Sequence, residues 1–169
     1  HAEFDAKDII ADAVLTQDIN LQDKAWTAIG EIGTGRAYAG IFDGQGHSVS
    51  GLNPEGYYSS LFGSIDSKGM VENLILAGVT AGSTVTGGIA FHNYGTIRYC
   101  GNLADLTPDF NQAGGIVNNN ESGATIENCY NLGNITGKGE AKVGGIASSN
   151  NGTITGCYNV GKVQSLQNS

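Results

Sequence analysis

The stretch GGIASSNNGTITGCYNVGKV at residues 144–163 repeats a phrase written twice upstream: GGIVNNNESGATIENCYNLGNI at 114–135 and, more loosely, GGIAFHNYGTIRYCGNLADL at 87–106. Self-similarity at a period of about 20–50 residues is the mark of a solenoid, in which one small unit stacks on the next. Aligned on an apolar residue and the cysteine that follows it, the copies pair Ile97 with Cys100, Ile126 with Cys129 and Ile154 with Cys157. GMVENL and GHSVSGL carry the same spacing as Val71–Leu74 and Val49–Leu52, which gives five rungs separated by 22, 26, 29 and 28 residues. A second apolar column runs Leu61, Ile89, Ile116 and Ile146, and a third runs Val79, Leu106, Ile135 and Val163.

Each repeat therefore offers about three short strands. Glycine, asparagine and serine punctuate them, the residues that supply tight turns. Twenty-seven glycines and no long run of helical period argue against a helical solenoid. The expected fold is an all-β, parallel β-solenoid (β-helix) of about five to six coils. Stacked strands lie about 4.8 Å apart, so equivalent positions form ladders along the axis. The inward ladder is expected to hold Val49, Val71, Ile97, Ile126 and Ile154, beside Leu52, Leu74, Cys100, Cys129 and Cys157. Uneven rung lengths are expected to be absorbed in TPDFNQA (107–113) and GKGEAK (137–142).

Open sheet edges invite pairing with other chains, so terminal coils need covering. DAKDIIADAVL (5–15) is the one segment with a helix-like pattern. It predicts a short N-terminal helical cap over residues 1–15, followed by the solenoid over 16–169 with repeats at 87–106, 114–136 and 144–163. No matching cap follows Val163, and the chain opens at His1 with no signal-like stretch. Both features lead us to expect a fragment of a longer or processed protein.

These repeats carry a family resemblance. GGIVNNNESGATIENCYNLGNITG and GGIASSNNGTITGCYNVGKV resemble the GLUG repeat of bacterial surface proteins. LTQDINLQDKAWTAIG, YAGIFDGQGHSVSGL and SSLFGSIDSKGMVENLILAGVTAG are similar to segments that precede such repeats in large adhesin-like proteins. Related modules occur in the non-catalytic N-terminal region of IgA-specific metallopeptidases. The resemblance implies an extracellular or cell-surface bacterial module acting in adhesion or as a stalk or spacer, with a host protein or a glycan as partner. Relatives often carry Gly-Tyr after GGIV, where this chain has Phe91-His92, Asn118-Asn119 and Ser148-Ser149.

The residues narrow the chemistry further. A net charge of −8 with only eight basic residues argues against a nucleic-acid partner. No apolar run reaches the roughly 20 residues of a membrane-spanning helix, so direct membrane insertion by a helix is not expected. Zinc hydrolysis of the metallopeptidase type needs two histidines one helical turn apart with a glutamate between, whereas His1, His47 and His92 stand alone. No metal site, cofactor or catalytic residue is expected, and an odd count of three cysteines predicts free thiols packed as small hydrophobes.

DGQGH (43–47) lacks the ligand alternation of a calcium loop and reads as a turn with positive φ at Gly44 and Gly46. Glu72, Arg98 and Glu127 in neighbouring rungs read as a charged surface ladder. A polysaccharide-active β-helix enzyme would instead need paired carboxylates. Asn102, Asn131 and Asn159 read as an asparagine ladder. Tyr130 and Tyr158 should point outward and stack, and they are the candidate ligand-binding residues of an alternative reading as a carbohydrate-binding module.

Overall fold

In the computed structural model the described residues are 10–31, 35–56, 59–80, 84–108 and 112–166. They form a parallel β-solenoid of about five turns, with no helix among them. One face is a six-stranded sheet of Ala13–Val14, Ile41–Asp43, Met70–Glu72, Thr96–Arg98, Thr125–Glu127 and Thr153–Thr155. A second six-stranded sheet stacks Ile19–Asn20, Ser48–Ser50, Ile75–Leu76, Gly101–Asn102, Tyr130–Asn131 and Tyr158–Asn159. The third face is four-stranded: Phe62–Ile65, Ala90–Asn93, Val117–Asn120 and Ala147–Asn150.

The corner between the first two sheets explains the spacing of three in the repeat. A single residue in the left-handed region turns the chain: Asn73, Tyr99, Asn128 and Gly156, with φ of 53°, 53°, 52° and 62°. The next residue is Leu74, Cys100, Cys129 or Cys157, and it falls inside. The Gly-Gly pairs answer a different need, because a side chain there would strike the neighbouring rung. A Cβ on Gly115 would lie 2.1 Å from the Gly145 carbonyl oxygen.

The core follows the ladders. Val71, Ile97 and Ile126 are in register and fully buried, and Ile154 continues their line, partly buried. Leu61, Ile89 and Ile116 are buried on the third side, with Ile146 packed beside them. Leu106, Ile135 and Val163 pair in sequence. The early coils are filled by aromatic rings, with Phe62 5.3 Å from Phe42 and 5.4 Å from Tyr38 between ring centroids.

Three expectations need correction. First, residues 1–9 of the anticipated cap lie outside the described residues, residues 10–12 are not helical, and Ala13–Val14 is a strand paired with Phe42 and Asp43. The solenoid therefore begins before residue 16. Backbone pairing along the sheet edge outweighs the weak helical pattern of this short segment. Second, the rung below Val71 is Phe42, not Val49. Val49 pairs with Leu76 and Leu52 with Val79, so both stand inside but in later columns. The cause is a longer corner: the second rung inserts residues 44–47 where the third has only 73–74. GHSVSGL imitates the repeat spacing without sharing its register. Third, Gly137, Lys138, Gln112 and Lys142 belong to paired strands rather than to loops. Residues 109–111 of the other expected loop lie outside the described residues.

Burial assigns the stability of the molecule to these columns. Ile126 is 0% exposed, between Ile97 and Ile154. Ile126→Asp would bury an unpaired carboxylate and should destabilise the protein by more than about 4 kcal/mol. Glu127→Ala and His47→Ala should stay within about 1 kcal/mol of the parent. Chemical denaturation followed by far-UV circular dichroism checks the contrast, and an unchanged midpoint for Ile126→Asp would contradict the inward column.

Candidate functional site

The polar side chains are largely committed to their neighbours in the stack. Asn102 Nδ2 donates to Asn131 Oδ1 at 2.7 Å, and Asn131 Nδ2 donates to Asn159 Oδ1 at 2.6 Å. Each amide also donates to the carbonyl two residues on, at Ala104, Gly133 and Gly161. A second ladder, not anticipated from the sequence, links Asn93, Asn120 and Asn150 at 2.9 and 2.8 Å. Its signal is present in HNYG, NNNESG and SNNG, where an asparagine stands two residues before a glycine or within one residue of that spacing.

The charged groups behave alike. Arg98 Nε donates to Glu72 Oε2 at 2.7 Å, and this contact holds the guanidinium above its ordinary pKa. Glu127 stands in the next rung of the same column. His92 Nδ1 lies 2.6 Å from Glu121 Oε1, with the Tyr94 ring stacked at 6.0 Å. His47 lies 3.5 Å from the exposed Asp18 carboxylate. In DGQGH the Asp43 carboxylate accepts from Asn73 Nδ2 and the Gln45 amide, and both contacts lower its pKa. Positive φ falls on Gln45 and Gly46 rather than on Gly44. Gly44 is needed because a Cβ would sit 2.5 Å from the Asn73 carbonyl oxygen.

The three cysteines occupy successive rungs. Cys100 and Cys129 are buried, Cys157 is partly exposed, and all three are free. Their thiols donate to the carbonyls of Arg98, Glu127 and Thr155, each at 3.3 Å. Burial pushes the Cys100 and Cys157 thiols up, away from reactive thiolate. Among the described residues no group of three or more His, Cys, Asp or Glu side chains is placed to hold a metal ion.

Tyr130 and Tyr158 pair in register and stack with centroids 5.8 Å apart and planes 15° from parallel. Tyr158 is 55% exposed. The ring of Tyr130 leans the other way as well, over Gly101 of the preceding rung. A Cβ at Gly101 would meet its Cζ at 2.2 Å. Below that ring lies an open groove of about 450 Å³, lined by Gln45, Gly46, Asn73, Ile75, Tyr99 and Tyr130. Tyr158 does not reach it. Tyr99, Ile75 and Gly101 were not singled out by sequence reasoning, although a signal exists: YCG at 99–101 replaces the NCY of residues 128–130. Tyr99 holds the left-handed corner that Asn73, Asn128 and Gly156 occupy in other rungs. For a bulky ring that conformation costs on the order of 1 kcal/mol.

No family model matches this sequence, and no curated protein or solved structure matches the chain.

The thiol geometry gives a direct expectation. Under denaturing, non-reducing conditions three thiols per chain should titrate, and in the folded protein Cys157 should react well before Cys100 and Cys129. Loss of two titratable thiols would contradict the free-cysteine column.

Proposed function

We propose that this chain is a non-catalytic extracellular module of a bacterial surface or secreted protein, serving as a spacer or adhesive segment. The observation that carries this reading is the use of its polar side chains. The asparagines bond from rung to rung, and Glu72, Glu121 and Asp43 are engaged by Arg98, His92 and Asn73. Ladders of this kind favour a stiff body whose stability accumulates from neighbouring coils. They leave those three carboxylates poorly suited to the acid and base of glycosidic hydrolysis. The resemblance of residues 114–163 to GLUG repeats supports the bacterial surface setting, with a host protein or glycan as partner.

The module should release no new reducing ends or unsaturated sugars from a panel of plant, bacterial and animal polysaccharides. Beads coated with it should be retained on cultured epithelial cells or tolerate shear as a passive tether. Cleavage that disappears in Glu72→Gln would overturn the non-catalytic reading in favour of a β-helix enzyme.

A further inference from the structure

In rungs four, five and six, those of Cys100, Cys129 and Cys157, the outward positions are polar on two faces and apolar on the other. The first sheet turns Thr96, Thr125 and Thr153 outward, and the third turns His92, Asn119 and Ser149 outward. The second sheet carries Leu103, Leu132 and Val160 instead. Their backbone amides donate to Leu76, Asn102 and Asn131 of the rungs beneath, at 2.8, 2.8 and 2.9 Å, so the three residues form one column. Each follows a member of the inward asparagine ladder, Asn102, Asn131 or Asn159, and alternation along the strand sends it outward. The column stays in contact with water: Leu103 is 43% exposed, Leu132 45% and Val160 71%. Isolated apolar side chains on a surface need no explanation. Three in line, beside the half-exposed Tyr158, make a continuous strip about 10 Å long. Neither the core nor the register uses these side chains.

The charges next to the strip indicate what covers it. Two residues beyond each aliphatic side chain stand Asp105, Asn134 and Lys162, all exposed. They are linked along the stack, since Asp105 Oδ1 accepts from the Asn134 amide at 2.7 Å and Asn134 Oδ1 accepts from the Lys162 amide at 3.0 Å. This column is negative at rung four, neutral at rung five and positive at rung six. Such a sequence is complementary to itself when reversed. A second copy laid on the strip with its axis antiparallel sets Lys162 against Asp105 at both ends, Asn134 against Asn134 and Leu132 against Leu132 on the two-fold axis. An amide can pair with its own copy because it is donor and acceptor at once. We propose that the strip of Leu103, Leu132 and Val160 is the centre of a two-fold, antiparallel dimer of this chain, with Asp105 and Lys162 as its reciprocal ion pairs. The strip offers a few hundred Å² per copy, below the roughly 800 Å² per partner of standard interfaces. The dimer is accordingly weak, with dissociation in about the 0.1–1 mM range. It does not depend on the spacer reading.

Sedimentation equilibrium at about 150 mM salt, where charges are screened beyond about 8 Å, tests this over about 20 μM to 1 mM protein. The mean mass should rise from that of a monomer toward that of a dimer and no further. Leu132→Lys places two ammonium groups on the axis and should weaken association by about tenfold or more. Lys162→Glu and Asp105→Lys should each weaken it by about threefold. An equimolar mixture of these two charge variants should regain the parental association, because each copy then presents the charges that the other lacks. Melting temperatures at low concentration report whether each variant is folded. Should Asp105→Lys fail to fold once its bond to the Asn134 amide is lost, Leu132→Lys and Lys162→Glu decide. A monomer throughout the range, association undiminished in a folded Leu132→Lys variant (as stacking through the open sheet edges would give), or no recovery in the mixture of folded charge variants would overturn the proposal.

Discussion

Everything in this molecule depends on one constraint: each rung must repeat the backbone register of the rung beneath it. Parallel strands joined by rung-to-rung hydrogen bonds allow identical positions to sit directly above one another. Once that register is fixed, side chains have only two destinations. Inward positions must be apolar and of similar size, as Val71, Ile97 and Ile126 are. Buried asparagines can find their partners in their own copies along the stack. The two asparagine ladders do so, since Asn102, Asn131, Asn93 and Asn120 are fully buried yet all bonded along the axis. An amide can do this because it is donor and acceptor at once. Replacement of one member by a carboxylate or an alkyl group would leave its neighbours with buried, unpaired groups.

The same constraint explains which parts of the fold are legible in the sequence. The last three rungs share nearly identical words, so the pairings 97–126–154 and 102–131–159 follow directly from alignment. The first rungs lack those words. Phe42 replaces the β-branched core residue, and the inserted GQGH corner displaces the following strand by two positions. Val49 and Leu52 copy the repeat spacing by chance of composition, and only the pairing with Leu76 and Val79 exposes the difference. At the N-terminus, Ala13 and Val14 suit a helix face as well as a strand, and the free edge beside Ile41–Asp43 decides between them.

The candidate site was legible only in half. Tyr130 and Tyr158 follow from the repeat, because their stacking is another copy-to-copy ladder. The groove does not follow from it, because a cavity arises where a repeat fails to repeat. Gly101 is small enough for the Tyr130 ring to lie over it, and Tyr99, which lines the groove, is bulky by comparison with Asn128. The left-handed backbone of Tyr99 marks the same position independently.

The register itself can be measured. Methyl-labelled protein examined by NOE spectroscopy should connect Ile97 to Val71 and Ile126, Ile126 to Ile154, and Val49 to Leu76. The Phe42 ring should contact the Val71 methyls. Contacts from Val49 to Val71 in place of those to Leu76, or the absence of contact between Ile97 and Ile126, would contradict the stacked register from which every ladder and the groove derive.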